Sequence, residues 1–154
     1  MRHLPIAKAA IYLIYLGAVC VLLAGFQVLR WSLDYMPPFA LFDYTSNPAK
    51  PGEVLTIKAN VRRDLDRRCS VHYSRSFFDS LGTRFDMTSE QFMNAGALDE
   101  LNKKMPDKLV LTLAVPRYAA AGKGVVMVVL DYKCNPLQAH YPISMILMMN
   151  VEVL

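Results

Sequence analysis

The stretch AAIYLIYLGAVCVLLAGFQVL, residues 9–29, decides the architecture of this chain. It contains no charged residue, and it stands between Lys8 and Arg30. Its twenty-one residues would form a helix about 30 Å long at a rise of about 1.5 Å per residue, which matches the hydrocarbon core of a bilayer. We therefore predict a transmembrane helix near the N-terminus.

The length of this stretch favours a permanent anchor over a cleaved signal peptide. A secretory signal has an apolar region of about 7 to 15 residues and a small-x-small cleavage site. The present stretch is longer, and residues 21–30 contain no Ala-x-Ala site. Cys20 follows Val19 rather than a small residue, so we interpret it as an apolar residue of the span and not as a lipidation site.

The charges that flank the span predict its orientation. Arg2 and Lys8 lie on a short N-terminal tail, whereas Arg30 is followed closely by Asp34. The positive-inside rule therefore places the N-terminus in the cytoplasm and residues 31–154 in the periplasm of a bacterial cell, an oxidising compartment. We divide the chain into a tail and anchor (1–30), a spacer containing Pro37 and Pro38 (31–38) and an ectodomain (39–154).

The net charge argues against nucleic-acid binding. The formal charge of +4 comes from seventeen basic and thirteen acidic residues, and three of the basic residues lie at or before Arg30. The ectodomain is thus nearly neutral, with fourteen basic residues against thirteen acidic ones. Its length suffices for one domain with a proper core and not for two.

Short runs of alternating apolar and polar residues, separated by Gly, Pro, Asn and Asp, predict a β domain. Thr88 and Gln91 have the spacing of a capping box, so a short surface helix is expected over residues 88–104. The apolar run at residues 146–149 is interpreted as part of a central strand buried on both sides. The predicted strands are 39–44, 53–62, 69–79, 83–87, 108–115, 124–134 and 144–154.

Seven short strands in this length point to an immunoglobulin-like β-sandwich with one short inserted helix. In that arrangement Cys69 begins the third strand and Cys134 ends the sixth, and these two strands are antiparallel neighbours. Both sulfur atoms would lie at one end of one sheet, so we predict a disulfide between them. Tyr132 stands two residues before Cys134, as the tyrosine of a tyrosine corner does.

Several short motifs carry a resemblance to one group of proteins. They are residues 132–138 (YKCNPLQ), 141–143 (YPI), 51–53 (PGE), 62–63 (RR) and 79–82 (DSLG), together with Cys69. Over about residues 51–143 the chain resembles small, uncharacterised single-pass membrane proteins of tailed bacteriophages and prophages of proteobacteria. The resemblance implies a phage origin and an inner-membrane location, and it carries over no functional residue.

Candidate chemistry is sparse. His72 and His140 lie near the two cysteines, but no Cys-x-x-Cys or His-x-x-x-His spacing supports a metal site, and a disulfide is the simpler use of the cysteines. Ser70 and Ser74 flank His72 on one strand without the geometry of a general base. We therefore expect no catalytic residue, no metal site and no cofactor.

Two functions are consistent with this sequence. The first is a membrane-anchored, non-enzymatic protein-interaction module on the periplasmic face, and the alternative is a periplasmic metal-handling or membrane-enzyme assembly factor. The loop after the second strand carries four arginines against two aspartates, a charge that favours anionic headgroups. The residues expected to face the membrane or a partner are Arg62, Arg63, Arg67, Arg68, Gln138 and Tyr141.

Overall fold

A computed structural model describes residues 4–64, 67, 69–87, 90–92 and 107–154. The chain divides into two compact units, residues 1–35 and 36–154. The first unit contains helix α1 (Leu4–Leu33), of which Ala10–Leu33 is long and apolar enough to cross a membrane. The helix therefore includes the predicted span and continues through Trp31, so the start of the predicted spacer is helical.

The second unit consists of two antiparallel sheets. Its strands are β1 (Phe39–Ser46), β2 (Val54–Arg63), β3 (Ser70–Phe78), β4 (Arg84–Asp86), β5 (Glu90–Phe92), β6 (Lys108–Ala114), β7 (Gly122–Lys133) and β8 (Ile143–Val153). Sheet 1 has the order β1-β2-β6, and sheet 2 has the order β4-β3-β7-β8 with β5 also paired to β3. A 3-10 helix, Pro136–Ala139, connects β7 to β8.

Both sheets contribute their inward-facing residues to one core. In β2 every second residue from Leu55 to Val61 is buried, which is the period of a strand with one solvated face. Leu55 and Ile57 of sheet 1 join Phe77 and Val126 of sheet 2 in the same buried cluster. The mainly β architecture that was predicted from this alternation is confirmed.

A β-bulge in β1 changes which of its side chains face inward. Leu41 pairs with Val61 and Asp43 pairs with Asn60, so Phe42 is the additional residue and its side chain is 68% exposed. The bulge shifts the alternation by one residue and turns Tyr44 inward. The Tyr44 hydroxyl then accepts a hydrogen bond from the backbone N–H of Asn150 in β8 (2.8 Å).

Gly124 permits the close approach of β7 to β3. A Cβ atom at this position would lie 2.8 Å from the Phe78 carbonyl oxygen and 3.1 Å from Cζ of Phe77. Such distances are shorter than van der Waals contact, so a side chain here would push the two strands apart. The glycine thus leaves room for the Phe77 ring, which is fully buried.

Two expectations from the sequence are wrong. Glu90–Phe92, at the start of the predicted helix 88–104, is strand β5, because it pairs with residues 71–73 along an edge of β3 and ladder hydrogen bonds outweigh the local capping signal. The rest of that predicted helix lies outside the described residues. The run at 146–149 belongs to β8, which pairs with β7 at the end of sheet 2 and is not a central strand buried on both sides.

Candidate functional site

A cavity of about 300 Å³ lies between the two sheets. Its wall is almost entirely apolar and is formed by inward-facing residues of both sheets. Sheet 1 provides Leu41, Leu109 and Leu111, and sheet 2 provides Val128, Leu130 and Met149. Its volume is at the low end of the range of about 300 to 1,000 Å³ that is usual for ligand sites.

Charged side chains line one end of this cavity. Arg63 is the last residue of β2, and Asp64 and Arg67 follow in the connection to β3. Nη1 of Arg67 donates a hydrogen bond to the Met36 carbonyl oxygen (2.6 Å), which fixes the guanidinium group against the start of the domain. Burial lowers the pKa of Arg63, and the nearby Tyr132 and Asp107 partly offset this effect.

A third arginine, Arg75, also lines the cavity. Arg75 is on β3 between Tyr73 and Phe77, on the inward-facing side of the strand, and it pairs in register with Val128 of β7. Its Cζ atom lies 5.2 Å from the centre of the Tyr73 ring, a cation–π distance. Its Nε atom is buried, and none of the described residues accepts a hydrogen bond from it. A charged group therefore faces the apolar interior.

The disulfide predicted between Cys69 and Cys134 is present in the structure. The two residues directly precede β3 and directly follow β7, and their Cα atoms are 4.0 Å apart. Because Ser70 pairs with Lys133, the bridge closes the end of the β3–β7 ladder. This is the end of the domain at which Arg63 and Tyr132 lie, so the bridge fixes the cavity wall there.

Gln138 was expected to face the membrane or a partner, and this expectation is wrong. The residue is only 4% exposed, and its Oε1 atom accepts a hydrogen bond from the backbone N–H of Cys134 (2.8 Å). Asn135 caps the 3-10 helix through its Oδ1 atom, which accepts from the Gln138 backbone N–H (3.1 Å). The two side chains together order the turn after the disulfide, because they satisfy backbone donors that the turn leaves unpaired.

The described arginines of the predicted basic loop differ in exposure. Arg62 is exposed, whereas Arg63 and Arg67 are partly buried and line the cavity. Arg68 lies outside the described residues. Tyr141 is 75% exposed. Of the residues expected to face a membrane or partner, Arg62 and Tyr141 are therefore the exposed ones in the described part of the chain.

The outer face of sheet 2 carries an apolar surface that the sequence analysis missed. We name it the outer-face patch and define it as Val125, Met127, Val129, Ile146 and Met148. Met127 pairs in register with Met148, and Val129 pairs with Ile146, so the side chains of β7 and β8 are neighbours on this face. Ile146 is 58% exposed and Met148 is 65% exposed.

The free edge of β8 borders the outer-face patch. Backbone groups of its even-numbered residues point away from β7: Asn150 donates to Tyr44, and the Glu152 carbonyl oxygen accepts from Ala49 N–H (3.2 Å). The same alternation directs the backbone groups of Ser144, Ile146 and Met148 away from β7. Apart from the isolated parallel bridge between Ala49 and Val153, no strand in the described part of the chain pairs with this edge.

Metal-binding side chains are not clustered in the described residues. They contain no group of three or more His, Cys, Asp or Glu side chains placed to hold a metal ion. Cys69 and Cys134 are bonded to each other, and His72 and His140 are exposed. Asp131 accepts a hydrogen bond from the Ser144 hydroxyl group (2.6 Å), an ordinary cross-strand pair on the sheet surface.

Comparisons with known proteins give no family. No protein-family model and no curated protein matches the chain. Among solved structures, the superoxide reductase (neelaredoxin) of Ignicoccus hospitalis has a TM-score of 0.44 at 9% identity, with 80% of this chain and 85% of that one covered.

Two further solved structures are similar to a lower degree. The alkylpurine DNA glycosylase AlkC of Pseudomonas fluorescens has a TM-score of 0.37 at 12% identity, covering 75% of this chain and 30% of that one. The sporulation control protein Spo0M of Bacillus subtilis has a TM-score of 0.35 at 15% identity, covering 77% of this chain and 50% of that one. Scores this low support no inference about function.

Proposed function

We propose that this protein is a membrane-anchored, non-enzymatic interaction module whose β domain lies on the periplasmic face of the bacterial inner membrane. The outer-face patch is the observation that carries the proposal. Contiguous apolar surface is costly to leave in water, and on soluble domains it usually marks an interface. We assign the domain a phage origin on the sequence resemblance alone.

The domain belongs, in this proposal, to the immunoglobulin-like sandwiches. Sheet 1 has the order β1-β2-β6, which corresponds to strands A, B and E, and sheet 2 has the order β4-β3-β7-β8, which corresponds to C′, C, F and G. The disulfide would then join strands C and F of one sheet, whereas antibody domains join strands B and F across the two sheets. Domains of this class often present one sheet face or edge to a partner protein.

The partner we propose is a protein that adds an extended segment to the edge of β8. Backbone groups of Ser144, Ile146 and Met148 are available for a new ladder, and the side chains of Ile146 and Met148 supply adjacent apolar contacts. Strands at a sheet edge are commonly protected by Lys or Pro, and residues 143–149 contain neither. Strand addition of this kind obtains its affinity from backbone hydrogen bonds and its specificity from alternate side chains.

The interaction can be tested by photo-cross-linking in cells. We expect a photoreactive amino acid at position 148 of the full-length protein to give a discrete protein adduct in the membrane fraction. The substitution Ile146→Lys places a charge beside the same edge and should reduce that adduct by about tenfold, the effect of about 1.4 kcal/mol of lost binding.

Val110 is the matched control for this experiment. It is an exposed apolar residue (53%) on β6, an edge strand of sheet 1 with Lys108 on the same face. A photoreactive residue at 110 should give no such adduct, and Val110→Lys should leave the adduct from position 148 unchanged. Equal adducts from both positions, or an adduct that is insensitive to Ile146→Lys, would contradict the proposal.

The proposed topology predicts which reporters work when fused after Leu154. A phosphatase that is active only in the periplasm should give activity, and a fluorescent protein that matures only in the cytoplasm should not fluoresce, because Arg2 and Lys8 retain the N-terminus inside. Mass spectrometry of the membrane-bound protein should find the N-terminal segment intact. The opposite reporter pattern, or a mature chain that begins near Trp31, would show that the anchor or its orientation is wrong.

A further inference from the structure

Arg75 is the least expected residue on the inward face of sheet 2: the residue is partly buried, and its Nε atom is fully buried. It occupies an inward-facing position of a central strand, where its neighbours on the same face are Tyr73 and Phe77. Burial of an ion among apolar groups is unfavourable unless the ion is paired and its donors are satisfied. The Tyr73 ring stabilises the positive charge from its face, yet the buried Nε–H group of Arg75 meets no acceptor among the described residues.

The cavity beside Arg75 has the properties of a site for an alkyl chain. Most of its wall surface is apolar, and side chains of both sheets, such as Leu111, Leu130 and Met149, contribute to it. Its volume of about 300 Å³ is roughly ten times the liquid volume of a water molecule, and a methylene group has a similar size. One alkyl chain of about ten carbons would fill this space, whereas the two chains of a diacyl lipid would not.

We propose that this cavity binds a single-chain lipid of the fatty-acid class, with its alkyl chain between the two sheets and its carboxylate bound by the guanidinium group of Arg75. Arginine binds carboxylates through charge-assisted hydrogen bonds, which are about twice as strong as neutral ones. The carboxylate would satisfy the buried donor, and the alkyl chain would occupy space that water fills poorly. The charged end of the cavity carries Arg63, Asp64 and Arg67, which together have a formal charge of +1.

This inference is independent of the outer-face patch, because the cavity lies between the sheets and the patch lies on the outer face of sheet 2. Ligand binding and partner binding can therefore succeed or fail separately. The anchor helix gives the inference a physical source of ligand, since a protein held at a bilayer meets amphipathic lipids at high local concentration.

The test uses a matched pair of photoreactive probes and the full-length protein in neutral phosphatidylcholine nanodiscs. One probe is dodecanoate with a diazirine on its chain, and the other is the corresponding uncharged alcohol. After irradiation, peptide mapping locates the labelled residues. We expect dodecanoate to label cavity peptides that contain Leu111 or Leu130, and both probes to label helix α1, which serves as an internal standard.

The substitution Arg75→Met tests the contribution of the carboxylate to binding separately from that of the alkyl chain. It should reduce dodecanoate labelling of the cavity by about tenfold or more, the effect of one lost charge-assisted hydrogen bond, and should leave labelling by the alcohol unchanged. His72→Met is the control, because His72 is exposed on the opposite face of the same strand. It should change neither probe.

A second variant tests the cavity itself. Leu130→Trp places a larger side chain in the cavity and should reduce cavity labelling by both probes while the labelling of α1 stays constant. A one-thiol count before reduction shows that the Cys69–Cys134 bridge, and therefore the fold, has formed in each variant. Labelling confined to α1 in the wild-type protein, or an equal loss of both probes on Arg75→Met, would overturn the proposal.

Discussion

Replacement of Cys69 and Cys134 by serine should lower the free energy of unfolding of the β domain by about 4 kcal/mol. The bridge joins residues 65 positions apart, and a cross-link of this span removes conformational freedom mainly from the unfolded chain. The measurement is urea unfolding of the full-length protein in micelles, followed by the far-ultraviolet signal of the β domain. A midpoint equal to that of the oxidised wild-type protein would contradict the assignment.

Reduction of the wild-type protein provides the matched control. It should move the wild-type midpoint to that of the double variant and leave the variant itself unchanged. Thiol counting on denatured protein tests the pairing directly, because Cys20 is free. One thiol is expected before reduction and three after it. Three thiols before reduction would show that the bridge had not formed.

The substitution Phe77→Ala should cost about 3 to 5 kcal/mol of stability, in the range observed when a large buried ring is removed. Phe77 is fully buried, and its ring packs against Phe85 at a centroid distance of 6.2 Å and against the backbone near Gly124. Both sheets contribute to the buried cluster that contains it, so the vacated space should close only in part. The same urea titration measures the loss.

Phe42→Ala is the matched control, because it removes the same ring from an exposed position. Phe42 is the bulged residue of β1 and is 68% exposed, so its loss should change stability by no more than about 0.5 kcal/mol. Similar effects for the two substitutions would show that the buried cluster around Phe77 is not the main core of the domain.

Part of this structure could be predicted from the sequence because it depends on local alternation. The strict period of two in β2 and the apolar run in β7 identify strands without any knowledge of their partners. The disulfide between Cys69 and Cys134 followed from the order of the strands. The spans of the helix and of the long strands also agree with the predicted ranges to within a few residues, since charged or turn-forming residues flank them.

The remaining features depend on which strands are neighbours in the sheets. The alternation of apolar and polar residues within one strand does not specify its neighbours. Nothing local places β8 at the end of sheet 2, so the exposure of Ile146 and Met148 was missed. The inward position of Gln138 depends on a hydrogen bond to Cys134 across the turn. Arg75 could have been found from the sequence. Val71, Tyr73 and Phe77 mark the apolar side of β3, and Arg75 is the one charged residue at the same alternate positions of this strand.

The central position of β7 also has a consequence for the order in which the domain can fold. Before residues 122–133 have been synthesised, the partners of β3 in the described part of sheet 2 are the three-residue strands β4 and β5. Contacts between distant parts of a chain form late, because loop closure must come first. We therefore expect sheet 2 to assemble late, around β7, with β8 added as the next strand of the growing polypeptide.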